Sequence, residues 1–319
     1  MDDAPGTSDA TTPTRVGFLG PSGTFTEQVL LREADLAAGQ LIAYPLMSDV
    51  LFAIAGGDID LGVVPVENAI EGTVNATVDT MAFDVDVLIQ REMLEPVSLN
   101  LLTVPGAAMA GVEQVISIPV ASAQCRSWLR ANLPEVEYVA AKSTAEAAQI
   151  VATTADPTIA AIANLRAGQV YGLDLAATEI EDHPENQTRF VLVAQHGVPA
   201  PTGHDKTSIV VYQRADRPGS LLSILQEFAA RSINLSLLLS RPTKTSLGDY
   251  CFLLDLDGHI SDPVVADCLR SLRAKQADVK FLGSYPAAGA AGPQTRATAD
   301  RDEAEAEAWL GEFLGQIRT

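Results

Sequence analysis

Short apolar runs alternate with helical patterns over residues 15–195. Runs of four to eight apolar residues predict buried strands, and apolar positions three and four apart predict helices with one buried face. This alternation predicts an α/β domain whose sheet is mostly parallel. The predicted strands cover residues 15–19, 41–46, 61–66, 85–89, 97–104, 115–118, 159–162 and 190–193, with residues 90–96 as a crossover. The predicted helices begin near Thr26, after Ser48 as the cap of 49–56, after a strand ending near Ser117, after Ser143 or Thr144, and at Leu165.

The pattern changes after a Gly- and Pro-rich stretch at residues 196–205, which predicts a linker. Residues 206–286 then follow the order strand, helix, strand, strand, helix, strand, which is the ferredoxin-like βαββαβ order. A single layer of helices leaves a sheet face or edge to cover, which favours pairing with a second copy. The predicted elements are 207–213, 218–231, 233–240, 250–257, 263–275 and 279–282.

The two ends of the chain have a different composition from the domains. Residues 1–14 are polar and acidic and predict a disordered tail rather than a secretory signal. Residues 287–302 form an Ala-, Gly- and Pro-rich linker. Residues 303–319 carry an apolar stripe that includes Trp309 and Phe313 behind an acidic start, so they predict an amphipathic helix.

Charge and cysteine content narrow the function. The 319 residues include 21 basic and 41 acidic side chains, and the net charge of −20 argues against nucleic acid and anionic membranes as partners. No apolar run approaches the roughly 18 residues that span a bilayer. Three widely spaced cysteines suit reduced thiols in the cytoplasm. Cys125 in particular fits a small buried residue better than a nucleophile, because no histidine lies near it in sequence.

Two stretches place polar groups beside predicted strands. Thr188 and Arg189 directly precede the apolar run 190–193, where a rigid element would hold a hydroxyl and a guanidinium side by side. An ordinary surface ion pair is the alternative for Arg189. The turn at Ser22, Gly23 and Thr24 lies between a strand and a helix, so its backbone N–H groups predict an anion seat; an ordinary strand-to-helix turn is the alternative. The turn is neither a P-loop nor a dinucleotide fingerprint.

A second set of polar residues follows other predicted strands. Glu67 and Asn68 come directly after an apolar strand, where partial burial would favour a protonated Glu67 suited to donating a proton. A carboxylate that caps the next helix is the alternative. Ser117 and Gln124 are placed at a strand end and in the first turns of the following helix. No metal-ligand cluster or cofactor motif is present, so no cofactor or metal is expected.

Ten short motifs in one order give the chain a family likeness. The chain resembles the bacterial prephenate dehydratases, which join a dehydratase domain to an ACT regulatory domain. Three positions depart from the family pattern. Ala69 replaces the usual Ser or Thr, Ile118 and Val120 replace the usual His and Gln, and Leu239 replaces the usual Glu. The motifs are residues 19–26, 64–68 with 71–72, 123–125, 171–173, 186–190, 217–222, 233–235, 240–242, 258–259 and 282–286.

The resemblance implies a type II periplasmic-binding-protein-like catalytic domain over residues 15–195, with two α/β lobes, a cleft between them and two chain crossings. It implies decarboxylating dehydration of prephenate to phenylpyruvate in L-phenylalanine biosynthesis. Thr188 would then be the essential hydrogen-bond donor or relay to the departing hydroxyl, with Glu67 as the acid. The remaining implied site consists of Asn68, Ser117 and Gln124 as neutral donors, with Arg189, Phe190, Ser22, Gly23 and Thr24 at the substrate.

The resemblance also implies feedback regulation by L-phenylalanine at the ACT domain, over residues 206–286, through a homodimer or homotetramer. Leu239 puts the strength of that regulation in question. Two other functions remain open from the sequence: an arogenate dehydratase, and a non-catalytic sensor of an amino acid or aromatic ligand. The implied effector site consists of Gly219, Ser220, Leu221, Leu222, Asn234, Ser240, Arg241 and Pro242.

Overall fold

The computed structural model describes residues 13–213, 218–244, 249–275, 278–289 and 308–309. The chain divides into two compact units on either side of Gly197. Most of the predicted tail 1–14, of the linker 287–302 and of the helix 303–319 lies outside the described residues, as does Arg217. No helix within the described ranges is both long and apolar enough to cross a membrane.

The first unit consists of two lobes, and each has its own sheet. The first lobe contains β1 Arg15–Leu19, α1 Phe25–Arg32, α2 Ala34–Ala37, β2 Gln40–Tyr44, α3 Met47–Gly56, β3 Leu61–Asn68, β4 Gly72–Thr73, α4 Asn75–Asp79, a π-helical turn Thr80–Asp84 and β5 Leu88–Pro96. The second lobe contains β6 Asn100–Thr103, a 3₁₀ turn Met109–Gly111, β7 Gln114–Ser117, α5 Pro119–Gln124, α6 Arg126–Asn132, β8 Glu137–Ala140, α7 Thr144–Thr154, β9 Ile159–Ala163, α8 Leu165–Tyr171 and β10 Asp174–Ala177. The chain then returns to the first lobe as β11 Gln187–Ala194.

The strand order confirms the predicted pair of α/β lobes and the two chain crossings. The first sheet has the order β2-β1-β3-β11-β5 with β4 beside β3, and the second has the order β10-β6-β9-β7-β8. Each sheet is mixed rather than mostly parallel, because β11 runs antiparallel to both β3 and β5, and β6 runs antiparallel to β9 and β10. The return strand β11 is therefore central in the first sheet.

The predicted crossover at residues 90–96 is wrong, because these residues form most of β5 and pair along β11. Charged residues interrupt the apolar pattern there, but each has an opposite charge nearby. Arg91 pairs with Glu33 and Asp35, Glu92 lies 3.2 Å from Arg189, and Glu95 lies 2.7 Å from Arg32. Long-range ion pairs therefore allow a strand that the local pattern does not show.

Two predicted helix caps have different outcomes. Ser143 caps α7, since its hydroxyl accepts a hydrogen bond from the Glu146 N–H at 2.9 Å. The predicted cap at Ser48 is wrong, because α3 begins at Met47, two residues earlier than predicted, and Leu46 occupies the cap position without a side-chain hydrogen bond.

The second unit has the predicted βαββαβ order. Its four-stranded sheet has the order β13-β14-β12-β15, with antiparallel neighbours. Ile224 and Phe228 of the first helix and Leu272 of the second are fully buried in one core with the sheet. The elements are β12 Asp205–Tyr212, α9 Ser220–Ala229, β13 Leu235–Pro242, β14 Tyr250–Asp257, α10 Pro263–Lys275 and β15 Asp278–Pro286.

Candidate active site

Thr188 and Asn68 form a pair across the central strands of the first lobe. The register places Thr188 of β11 opposite Asn68 of β3, and Asn68 Nδ2 donates a hydrogen bond to Thr188 Oγ1 at 2.9 Å. Asn68 Oδ1 accepts from the backbone N–H groups of Ile70 and Glu71 at 3.0 and 2.9 Å, which fixes the amide orientation. Because Asn68 donates to the Thr188 oxygen, the Thr188 hydroxyl keeps its own hydrogen for another acceptor.

A chain of amide hydrogen bonds joins the two lobes close to this pair. Gln124, at the end of α5, donates from Nε2 to Glu71 Oε1 at 3.3 Å. The Gln124 Oε1 atom accepts from Asn186 Nδ2 at 3.1 Å, one residue before β11 begins. Gln124 and Asn186 are both buried. Gln124 therefore connects the second lobe to both strand ends that carry Asn68 and Thr188.

The turn at Ser22, Gly23 and Thr24 is filled by a carboxylate of the chain itself. Thr24 Oγ1 caps α1 by accepting from Glu27 N–H at 3.3 Å, and Glu27 Oε2 accepts from Gly23 N–H at 2.6 Å. The same carboxylate oxygen lies 3.1 Å from Arg166 Nε of α8. The turn binds an anion as predicted, but the anion is Glu27. This occupied turn argues against the predicted contact with a substrate carboxylate.

The same turn also carries a contact between the lobes. The Tyr171 hydroxyl at the end of α8 donates to Ser22 O at 2.9 Å. Gly23 has a φ of +95°, and a Cβ built on it would lie 3.0 Å from Ala167 Cα. Only glycine suits this position, because both its backbone angle and the close helix exclude a side chain. The turn therefore contributes to lobe packing through residues that the sequence assigned to ligand binding.

Arg189 lies on the opposite face of β11 from Thr188. Its Nε lies 3.2 Å from Glu92 Oε2 of β5, and its Nη1 lies 3.7 Å from Glu67 Oε2 of β3. The Arg189 residue is buried, and the Glu92 side chain is only 2% exposed. Ion pairs that link β11 to both neighbouring strands, β3 and β5, replace the predicted direct contact of Arg189 with substrate beside Thr188.

Glu67 lacks the burial that its predicted role as an acid requires. Its side chain is 40% exposed and lies on the face of Arg189, away from the Thr188 hydroxyl. Alternating side-chain directions along β3 explain this arrangement, since Asn68 faces Thr188 and its neighbour cannot.

Ser117 and Phe190 also have structural contacts where the sequence predicted substrate contacts. The Ser117 hydroxyl is buried and donates to Ile162 O at 2.8 Å, which leaves it no hydrogen for a ligand. Phe190 is 2% exposed and packs in the first-lobe core with Met93 and Leu192. Ser117 and Arg126 line a cavity of about 400 Å³ in the second lobe. Thr188 does not line this cavity, so the cavity does not bring Ser117 and Thr188 together.

The structure adds residues that the sequence did not assign to the site. Glu71 and Asn186 hold Gln124, and Arg166 holds Glu27 at the lobe junction. Glu71 and Asn186 fall within motifs that flank Asn68 and Thr188, so their proximity could have been inferred from the strand pairing. Nothing local in the sequence marks Arg166, because its partner is 139 residues away.

Cys125, Cys251 and Cys268 are buried and form no disulfide. Burial raises the pKa of the Cys125 thiol well above its usual range, and the carboxylates of Glu181 and Asp182 add to the effect. Burial also raises the pKa of Cys268 to about 11. Both thiols are therefore protonated and unreactive at neutral pH. Within the described residues, no group of three or more His, Cys, Asp and Glu side chains is placed to hold a metal ion.

The predicted effector residues fall at two ends of the second unit. Gly219 has a φ of +87° at the start of α9, with open space around it, and Leu222 in the first turn is 58% exposed. Residues 240–242 end β13 at the same end of the sheet, where Arg241 pairs with Cys251. Asn234 precedes β13 at the other end, and its Nδ2 donates to Asp257 Oδ2 at 2.8 Å. Within one chain, Asn234 and Gly219 are therefore about 20 Å apart along the strand direction.

Two family models match the chain: prephenate dehydratase over residues 16–198 and the ACT domain over residues 207–274. A prephenate dehydratase of Mycolicibacterium vanbaalenii is 44% identical over 285 residues, which cover 85% of this chain and 90% of that protein. One of Mycobacterium leprae is 42% identical over 289 residues, 88% of each chain. These matches extend over both units.

Solved structures agree with the sequence comparison. A crystal structure of prephenate dehydratase from Arthrobacter aurescens in complex with L-Phe has a TM-score of 0.85 and 38% identity, and covers 95% of this chain and 100% of that chain. The enzyme from Staphylococcus aureus has a TM-score of 0.73 and 29% identity, with 85% and 100% covered. The fold is thus a two-lobed α/β enzyme domain followed by a ferredoxin-like regulatory domain. The chain belongs to the prephenate dehydratase family.

Proposed function

We propose that this chain converts prephenate to phenylpyruvate, water and CO2, with Thr188 as the central side chain of the site. The observation that carries the assignment is the Thr188 hydroxyl, which Asn68 holds through its oxygen at 2.9 Å so that its hydrogen remains available. The hydroxyl is half-buried at the end of a central strand and close to the lobe junction. A small anion held between the lobes would meet a fixed hydrogen-bond donor there.

The reaction consumes one proton and needs no oxidant. The bond between the ring carbon and its hydroxyl oxygen breaks, and a proton taken up from solvent joins the oxygen as water leaves. The bond to the ring carboxylate breaks at the same time, and its electron pair enters the ring as CO2 leaves. The ring becomes aromatic, so the protein must mainly orient the substrate and stabilise the departing hydroxyl. A positioned donor to that oxygen typically accelerates such a step by about 10²–10⁴-fold.

The residues around Thr188 support this division of work. Thr188 donates to the departing hydroxyl, and Asn68 orients Thr188. Gln124 closes the second lobe onto Glu71 and Asn186, which brings the site together and limits water. Arg166 is a half-buried cation at the lobe junction, where one of its N–H groups binds Glu27. Its remaining donors can pair with a substrate carboxylate in an otherwise strongly acidic protein.

An ultraviolet assay with purified full-length protein tests the activity. Phenylpyruvate formed from prephenate is followed by absorbance, and arogenate is supplied in parallel with detection of phenylalanine. Turnover of prephenate with a kcat/KM at least about tenfold above that for arogenate supports the proposal. Preference for arogenate would reassign the substrate, and no product from either compound would favour a non-catalytic sensor. Three buried cysteines that form no disulfide fit the reducing cytoplasm in which this biosynthetic step is expected.

We also propose that L-phenylalanine regulates the enzyme by binding between two ACT domains. Gly219 and Leu222 at the exposed start of α9 are too far from Asn234 to form one site within a single chain. A twofold arrangement can bring the start of α9 of one copy next to Asn234 of the second copy. Among the described strands, β13 lies at one end of the sheet order, a position that suits pairing with a second copy. The proposed state is a homodimer or a tetramer built from such pairs.

Mixing two variants of the full-length chain tests the shared site. Gly219→Asp and Asn234→Ala should each abolish L-phenylalanine binding in calorimetry when pure. If the site uses both copies, mixed dimers regain one intact site, so binding returns to about a quarter of the wild-type stoichiometry after random exchange. The matched control is the double variant, Gly219→Asp with Asn234→Ala, taken through the same exchange procedure. It should bind no L-phenylalanine. No recovery in the mixture would mean that each chain holds its own site.

A further inference from the structure

Glu95 is a fully buried carboxyl group directly beside Thr188. Strand β5 pairs with β11 on the side away from β3, and the register sets Glu95 opposite Thr188. The Glu95 side chain is 0% exposed and lies on the face covered by α1. Thr188 therefore lies between Asn68 on one neighbouring strand and Glu95 on the other, with Cβ atoms of such pairs about 5 Å apart.

The groups that hold Glu95 come from successive turns of α1. Gln28 Nε2 donates to Glu95 Oε1 at 2.5 Å, and Arg32 Nη1 lies 2.7 Å from Oε2. Arg32 is 58% exposed, so water weakens its attraction, and burial raises the pKa of Glu95 in spite of that cation. Other charged residues of the neighbouring elements form their own pairs: Glu27 with Arg166, Arg91 with Glu33 and Asp35, and Glu92 with Arg189 on the other sheet face.

The charge of Glu95 affects Thr188 in two ways. An ionised carboxylate is a stronger acceptor than a substrate hydroxyl, so after a side-chain rotation it would compete for the Thr188 hydrogen. It would also place a negative charge beside the site of a dianionic substrate. A neutral carboxyl removes both effects, while Asn68 continues to hold the Thr188 oxygen.

We propose that Glu95 is a positioning residue that must be neutral for Thr188 to serve the substrate, an inference that rests on the proposed dehydratase function. Ionisation of Glu95 then lowers kcat/KM as the pH rises. Gln28 keeps the carboxyl in place in both states. Gln28 and Arg32 both favour the ionised state and oppose the effect of burial, so all three together determine the pH at which activity declines.

The test is the pH profile of kcat and kcat/KM for prephenate between pH 5 and 9, with the full-length chain. Wild type should lose about tenfold or more in kcat/KM along the alkaline limb. Glu95→Gln should abolish that limb and stay within about threefold of the wild-type value at low pH. Arg32→Gln should move the limb to higher pH, because the cation that favours ionised Glu95 is gone. The control is Asp35→Asn, which removes a carboxylate of α2 that pairs with Arg91. This variant should leave the alkaline limb at its wild-type pH.

The outcomes separate this inference from the function itself. A wild-type enzyme without prephenate turnover overturns both. Normal wild-type turnover with an unchanged alkaline limb in Glu95→Gln overturns the role of Glu95 alone. A loss above about tenfold at low pH in Glu95→Gln would also overturn it, since a neutral isostere should suffice. If Glu95→Gln does not fold, Arg32→Gln still tests the proposal, because Arg32 is exposed and its replacement should not impair folding. An alkaline limb at the same pH in Arg32→Gln as in wild type would contradict the proposal.

Discussion

Thr188 and Arg189 are consecutive residues whose side chains lie on opposite faces of β11. Thr188 accepts a hydrogen bond from Asn68 at 2.9 Å, whereas Arg189 lies 3.2 Å from Glu92 and 3.7 Å from Glu67. Side chains of a strand alternate between its two faces, so a shared motif does not imply a shared site. The pair thus combines a candidate catalytic hydroxyl with a buried structural cation.

The hydroxyl of Thr188 is expected to be essential for turnover. Thr188→Ala should lower kcat by about 100-fold or more, because the departing oxygen loses its positioned donor. KM should stay within about threefold, since the hydroxyl acts mainly in the transition state. Steady-state kinetics with Thr188→Ser as the matched control measure this, and Thr188→Ser should retain kcat within about tenfold. Equal values of kcat for the Ala variant and wild type would remove Thr188 from the mechanism.

Arg189 is expected to contribute to stability rather than to substrate affinity. Arg189→Leu leaves Glu92, 2% exposed, without its cation, which should cost about 3–5 kcal/mol of unfolding free energy. Replacing both partners, as in Arg189→Leu with Glu92→Leu, should recover most of that loss because no buried charge remains. Urea unfolding of the three proteins measures the difference. A stable Arg189→Leu variant with a tenfold higher KM would instead return Arg189 to the substrate site.

The sequence pattern predicted those helices and strands that residues close together in the sequence define. Helix α8 has the predicted bounds because Asn164 caps its start and Gly172, with a φ of +64°, ends it. Strand β14 has the predicted bounds because an apolar run defines it. The sequence Thr24-Phe25-Thr26-Glu27 also has the spacing of a capping box, which could have shown that Glu27 would occupy the turn. Period-two alternation could likewise have placed Arg189 away from Thr188.

Other features depend on contacts between distant parts of the chain. Strand β5 was missed because its acidic residues find their partners only in the folded chain: Glu92 lies beside Arg189, and Gln28 and Arg32 hold the Glu95 carboxyl. Gln124 joins Glu71 and Asn186, which lie 53 and 62 residues away, and only the two lobes together explain that amide chain. The family resemblance identified Thr188 and Gln124, but the geometry that relates them comes from tertiary pairing.

Gly23 is expected to be more sensitive to substitution than another glycine with positive φ. Gly57 has a φ of +78° with open space around it, so Gly57→Ala should cost only about 1–2 kcal/mol from the backbone angle. Gly23→Ala adds a clash with Ala167 of the other lobe, 3.0 Å from the new Cβ. We expect a larger loss of stability and at least a tenfold lower kcat/KM for Gly23→Ala alone. Similar behaviour of the two variants would show that this lobe contact is dispensable.

Glu227 is expected to make the stability of the second unit depend on acidic pH. It joins α9 to α10 through Lys275 at 2.5 Å and also bonds Arg231 at 2.9 Å. The hydrogen bond from Lys275, with further ones from Ser271 and Arg231, lowers the pKa of Glu227 to about 2 from an ordinary value of 4.5. A lowered pKa means that the ionised form stabilises the fold fully above about 4.5 and that this contribution is lost as the pH falls towards 2.

Thermal unfolding of Glu227→Gln at several pH values measures this contribution. The variant should have a lower Tm than wild type at pH 7, because Gln cannot form charge-assisted bonds to Lys275 and Arg231. The difference should be nearly constant down to about pH 5 and should narrow at pH 3.5, where wild-type Glu227 begins to gain its proton on unfolding. Glu135→Gln, at an exposed position of the first unit, is the control and should differ little from wild type at any pH. A Tm difference for Glu227→Gln that stays constant from pH 7 to pH 3.5 would show that packing, rather than the charge of Glu227, links the two helices.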